Sequence, residues 1–241
     1  MQIAFVAGAT GYTGREVVRV LVARGVRTVA HVRPDSRRLD EWRQRFETMG
    51  AAVDSSPWGD AEMVNTLSTL QPTHVFSLLG TTRARRRESA ARGEAAESYE
   101  AIDFGLTAML IRASVASGSK PRFIYLSALG VREHASNPYL SARWRAESLL
   151  RASGLPYTIA RPSFITGPGR DEARPLERVS AAVANGVAAV ARVVGADRLA
   201  GSLHSLTGAE LADGLVRHAF DASAENATVG SDELHAVAQG R

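Results

Sequence analysis

The chain has no cysteine, which excludes a disulfide framework, a thiolate nucleophile and any cysteine-ligated metal. Lysine is almost missing too: Lys120 is the single lysine among 29 basic residues. The arginines are spread along the chain, so a net charge of +4 reads as a compositional bias and not as a nucleic-acid stripe. The densest run, RARRR at 83–87, has no interleaved aromatics and is followed by Glu88, Glu94 and Glu97. No stretch reaches the roughly 18 uninterrupted apolar residues of a membrane span. The apolar pattern starts at Gln2 or Ile3, with no charged leader before it. These absences predict a soluble, cytoplasmic protein that engages neither nucleic acid nor membrane, as a monomer or homodimer. Its six scattered histidines show no metal-ligand spacing, so no metal site is expected.

What is present is an alternation. Short apolar runs at 3–8, 28–33, 51–54, 74–80, 122–128 and 157–163 are separated by helical patterns at 13–24, 36–49, 60–70, 94–118 and 138–153. The runs are nearly continuous rather than alternating, as for strands buried on both faces of a parallel sheet. Repeated strand–helix units predict an α/β fold, a doubly wound parallel sheet of the Rossmann type. Asn137-Pro138 reads as an N-cap followed by proline in the first turn, and Gly154 as the stop of the same helix. From about residue 164 the pattern weakens into a loop, TGPGRDEARP, then helices near 175–194 and 208–221. Residues 1–241 thus read as one dinucleotide-binding domain, with residues from about 164 onward forming a small substrate-side lobe.

The first strand breaks into GATGYTG, which places Gly8, Gly11 and Gly14 between a strand and a helix. Glycines there permit a tight turn and let backbone N–H groups approach a pyrophosphate held at the helix N-terminus. Gly8, Thr10, Gly11, Tyr12, Thr13 and Gly14 are the expected cofactor-binding residues of this turn. The end of the second strand reads HVRPDSRR. An acidic residue there would accept ribose hydroxyls, whereas an arginine pairs with a 2′-phosphate. Arg33 stands at that point and Asp35 falls two residues later, which favours NADP over NAD.

Together with GATGYTG, the stretches LLGTTR (78–83), YLSALG (125–130), YLSARWRAESLL (139–150) and ARPSFITG (160–167) resemble atypical short-chain dehydrogenase/reductases, in particular the NmrA-like and Tat-interacting oxidoreductase-like groups. In that superfamily a serine orients the substrate oxygen and a tyrosine exchanges its proton. A lysine four residues after the tyrosine lowers the tyrosine pKa and holds the nicotinamide ribose. The resemblance implies catalytic roles for Ser127, Tyr139 and Arg143. Arginine replaces the lysine: a guanidinium stabilises negative charge but never releases its proton at working pH. The resemblance also implies cofactor contacts at Leu79, Gly80 and Thr81, at Asp54 and Ser55 beside the adenine, and at Pro162, Ser163 and Phe164 near the carboxamide.

The expected function is an NADP-dependent oxidoreductase acting on a small carbonyl or alcohol. The alternatives are a non-catalytic NADP-sensing protein and, more weakly, a nucleotide-sugar epimerase or dehydratase.

Overall fold

The structure, a computed structural model, describes residues 1–80, 98–167 and 205–240. Its frame is a seven-stranded parallel sheet. In chain order the strands are β1 (Ile3–Ala7), β2 (Arg27–His31), β3 (Ala52–Asp54), β4 (His74–Ser77), β5 (Arg122–Leu126), β6 (Tyr157–Arg161) and, after a separate two-residue pair, β7 (Ile165–Thr166) with β8 (Leu206–Thr207), the last strand β9 (Ala227–Gly230). The spatial order is β3-β2-β1-β4-β5-β6-β9. The order reverses between β1 and β4, and the strand ends around that point form the crevice in which open α/β sheets hold ligands.

The helices are α1 (Tyr12–Ala23), α2 (Leu39–Met49), α3 (Asp60–Leu70), α4 (Thr107–Ala116), α5 (Pro138–Ala152), α6 (Gly208–Phe220) and α7 (Ser231–Ala238). A π-helical segment, Tyr99–Leu106, leads into α4. Two apolar layers sandwich the sheet. On one side Val17, Val18 and Leu21 of α1 and Trp42 and Phe46 of α2 meet Leu211, Leu215 and Val216 of α6. On the other, Met63 and Leu67 of α3 pack with Leu110 and Ile111 of α4 and Leu150 of α5.

Local signals read from the sequence reappear. The Asn137 side chain accepts from the Tyr139 and Leu140 N–H groups, Pro138 opens α5, and Gly154 follows the helix at φ +74°. Differences lie further apart in the chain. The sequence pattern stops at six strands, whereas β9 adds a seventh against β6 in a segment whose pattern is weak. α6 also packs against α1, so this part of the chain completes the main core in addition to any lobe. β2 ends at His31, so Arg33 sits two residues beyond the strand. The predicted helix at 175–194, the RARRR run and Thr81 lie outside the described residues.

Candidate functional site

The turn after β1 is closed by the Gly11 N–H, which donates to the Gly8 carbonyl at 3.0 Å. Gly8 has φ +82°, and a Cβ there would stand 2.6 Å from the Leu78 carbonyl oxygen. A Cβ at Gly14 would lie 2.1 Å from the Gly8 carbonyl, so α1 can approach the turn only through glycine. Helix α1 begins with Gly11 as N-cap, without a side-chain cap and without an acidic residue in its first turn. By contrast α2 carries Asp40 and Glu41 there, and α3 carries Asp60 and Glu62. An uncapped N-terminus with no carboxylate of its own fits an external anion, and the pyrophosphate of a dinucleotide meets that requirement. Thr10, Thr13 and Gly14 sit in this turn; the Tyr12 side chain leaves it. Its hydroxyl donates to the Thr166 carbonyl at 3.2 Å, and its ring fills space that a Cβ at Gly167 or Gly208 would need.

Toward the adenosine side, the Asp54 carboxylate accepts from the Ser56 N–H and hydroxyl at 3.2 and 2.8 Å. The Ser55 hydroxyl accepts from Arg43 at 3.4 Å. His31, buried at the end of β2, hydrogen-bonds the Ser56 carbonyl at 2.9 Å and meets the Trp58 ring edge-on at 4.7 Å. Burial holds its pKa below the ordinary histidine value. Arg33 is part-exposed, with Asp35 at 3.7 Å.

On the other side of the crevice the polar groups are occupied by protein partners. Arg143, 5% exposed, donates through Nη2 to Asp103 at 2.8 Å and to the Leu79 carbonyl at 3.1 Å, and through Nη1 to the Leu126 carbonyl. It thereby ties the ends of β4 and β5 to the π-helical segment. A Cβ at Gly80 would lie 2.7 Å from its Nη2, which accounts for glycine there. Burial alone would lower its pKa, but Tyr139, Tyr125 and Asp103 outweigh that and raise it further, so the group is a permanent cation. Its Cζ stands 5.1 Å from the Tyr139 ring centroid, with Tyr99 edge-on to the same ring at 5.3 Å. Burial pushes the neighbouring Tyr125 phenol up to about 12, which keeps it protonated.

Ser127 is also committed. Its hydroxyl donates to Glu147 at 2.6 Å; this carboxylate is fully buried and is held by Arg161 at 2.6 and 2.9 Å and by Arg151 at 2.9 Å. Pro162 accepts from the Leu129 N–H, the Ser163 N–H donates to Ser231 Oγ, and the Phe164 carbonyl accepts from the Leu206 N–H. These three residues therefore stitch β6 to the loop after β5, to α7 and to β8.

Asp103, Glu147, Arg161 and Ser231 escaped the sequence reading. For Glu147 a signal existed: Ala142, Arg143, Ala146, Glu147 and Leu150 recur at helical spacing, and all are buried. Charges on an apolar stripe demand partners.

Residues 8–205 match the NAD(P)H-binding family, and the chain belongs to it. The mitochondrial protein fmp52-1 of Aspergillus terreus is 32% identical over 73% of this chain and 72% of its own. FMP52 of Candida albicans, also named mitochondrial, is 24% identical over 69% of each. These names correct the cytoplasmic expectation, which rested on the missing leader pattern: both relatives point to the mitochondrion instead.

Among solved structures, a Bacillus halodurans protein provisionally described as an NAD-dependent epimerase/dehydratase superposes over the full length of both chains, with a TM-score of 0.67 at 18% identity. The UDP-glucose 4-epimerase of Thermotoga maritima covers all of this chain and 82% of its own, with a TM-score of 0.61 at 18% identity. At such identities the likeness shows the Rossmann fold alone. The family binds NAD(P)H, and the uncapped start of α1 beside three glycines fits such a cofactor.

Proposed function

We propose that this protein is an NADP-dependent oxidoreductase of the NmrA-like branch, working on a small carbonyl or alcohol. The observation that carries the reading is the corner where Arg143 joins the ends of β4 and β5 and holds a fixed cation 5.1 Å from the Tyr139 ring. A nicotinamide dinucleotide held at the glycine turn before α1 would supply or accept the hydride. Tyr139, half-buried one helical turn before Arg143, exchanges the proton with the substrate oxygen, and Arg143 opposes the charge that develops as the proton moves. Ser127 gives its one proton to Glu147, so its oxygen accepts from a substrate hydroxyl and has no proton to offer a carbonyl oxygen. For the cofactor, Asp54 turns both carboxylate oxygens to Ser56 while Arg33 remains part-exposed past β2; both favour a 2′-phosphate over bare ribose hydroxyls.

The test is turnover of a carbonyl and alcohol panel with NADPH and NADP. Tyr139→Phe is expected to lower kcat by about 10²- to 10⁴-fold with cofactor affinity unchanged. Full activity in that variant would remove Tyr139 from the mechanism.

A second reading has its own support. The Ser127 hydroxyl and both terminal nitrogens of Arg143 already serve protein partners, an arrangement equally suited to a protein that binds the dinucleotide and signals its presence. Tight NADPH binding without turnover on the panel would select it.

A further inference from the structure

We propose that Glu147 is a positioning residue that makes Ser127 an acceptor only, and that the site therefore selects substrates with a second hydroxyl beside the reacting carbon: α-hydroxy ketones and the matching vicinal diols. The proposal rests on the reading that a substrate oxygen meets Tyr139 and Ser127, and adds to it the substrate class.

The Glu147 side chain is fully buried on α5. Its Oε1 accepts from the Ser127 hydroxyl at 2.6 Å and from Arg161 Nε at 2.9 Å. Its Oε2 accepts from Arg161 Nη2 at 2.6 Å and stands 2.9 Å from Arg151 Nη2. A carboxylate has about four acceptor sites and no donor, so its sites are filled and the serine must be the donor. A hydroxyl has one proton, and a bond to a charged acceptor is roughly twice as strong as one to a neutral carbonyl. Turning that proton toward a substrate would also leave an acceptor site open on a buried charge. The Ser127 proton therefore stays on Glu147. The backbone keeps the pair together, because the Ser127 N–H donates at 2.7 Å to the Ala160 carbonyl in β6, the strand that also carries Arg161.

One proton per oxygen then restricts the substrate. In reduction the carbonyl carbon takes a hydride from the reduced nicotinamide, the C=O π bond opens, and the oxygen takes the Tyr139 proton, leaving an alcohol and the oxidised nicotinamide. Before that step the substrate oxygen has no proton to give. After it, the single proton came from Tyr139 and points back to the Tyr139 oxygen. The reacting oxygen thus fills the Ser127 lone pairs at neither stage, and a second donor is required. Ser127 is 4% exposed, which admits a small donor. Arg161 and Arg151 outnumber the one carboxylate they share, which disfavours an ammonium and leaves a neutral hydroxyl. On the carbon next to the carbonyl it reaches Ser127 while the carbonyl oxygen faces Tyr139.

The experiment uses two matched series on the full chain: acetone, methoxyacetone and hydroxyacetone, and acetophenone with its α-methoxy and α-hydroxy derivatives. Methoxy withdraws electrons much as hydroxy does but has no proton to donate. Steady-state kcat/KM is measured with NADPH and with NADH, and dissociation constants by NMR titration with the oxidised cofactor bound, where no hydride is available. Wild type is expected to favour the hydroxy over the methoxy ketone about tenfold by both readouts, the effect of one hydrogen bond. Ser127→Ala should bring that ratio within about twofold of unity. Glu147→Gln, whose amide N–H can donate to the Ser127 oxygen and release the serine proton, should lower the ratio about fivefold. If Glu147→Gln does not fold, Ser127→Ala decides. A fall of all three ketones by one common factor in Glu147→Gln would make Glu147 structural and overturn the proposal. Wild type that handles hydroxy and methoxy ketones equally would also overturn it, and would leave the oxidoreductase reading standing. Turnover of no ketone with the binding preference intact would refute the oxidoreductase reading alone; binding of no ketone would refute both.

Discussion

At the end of β1 the chain presents bare backbone, whereas at the ends of β4 and β5, in the same crevice, it presents charged side chains that neutralise one another. The first arrangement relies on what is missing: no Cβ at Gly8 or Gly14, no cap and no acid at the start of α1. The second relies on saturation, with Arg143 shared among Asp103 and two carbonyls and Glu147 among Ser127 and two arginines. A site that must accept an anion keeps its donors open. A site that must hold a tyrosine beside a cation fixes that cation beforehand, because an unpaired buried charge is costly.

Breaking the saturated side should have the largest effect. Arg143→Met takes the guanidinium from the buried Asp103 carboxylate and is expected to lower unfolding free energy by about 3 to 5 kcal/mol. Asp103→Leu combined with Arg143→Met should lose less than the single changes sum to, measured by urea denaturation in a double-mutant cycle. Full additivity would show that the two groups are not coupled.

Breaking the open side comes next. Gly14→Ala drives a methyl group into the Gly8 carbonyl and should cost about 2 to 4 kcal/mol and abolish dinucleotide binding. Retained binding in calorimetry would show that α1 can shift away from the turn.

His74 probes the amino end of β4, remote from both. It lies between Thr73 and the Ala219 carbonyl and packs on Phe220 at 4.1 Å. Burial lowers its pKa to about 4, with the Ala219 hydrogen bond opposing. The unfolded chain, near the ordinary histidine value of about 6.5, therefore takes up the proton first. Stability from this group is fully present above about pH 6.5 and is lost as pH falls toward 4, a change on the order of 2 kcal/mol. His74→Gln should flatten that part of the pH–stability curve; an unaltered slope would assign it to other groups.

The smallest effect is expected at the seam. Tyr12→Phe removes only the bond to the Thr166 carbonyl and should cost about 1 kcal/mol by denaturation, while dinucleotide affinity changes little because the turn uses backbone at this position. A large loss of affinity would make the Tyr12 hydroxyl a ligand after all.

The same contrast explains what could be read in advance. GATGYTG and Asn137-Pro138 with Gly154 are local devices, each complete within a few residues, and each was legible. The apolar run carries β2 on to Arg33, but the strand stops two residues earlier, at His31, where β3 offers only three residues of pairing. β9 was missed because ATVG is a strand only by virtue of lying against β6, in a register no local signal announces. The partners of Ser127 and Arg143 were missed for a related reason. Glu147 showed itself as a charge on a buried stripe, but Asp103 lies in a separate, irregular helical segment whose wide turn has no sequence period of its own.

One arrangement bears on how the chain folds as it is made. The apolar face of α1, Val17, Val18 and Leu21, is covered by Leu211 and Leu215 of α6, a segment translated long after it. The sheet and α2 cover part of that face, and α6 supplies the rest of its cover from the far end of the chain. Closing this side of the core is therefore a contact of high sequence separation, the kind whose loop-closure entropy slows folding.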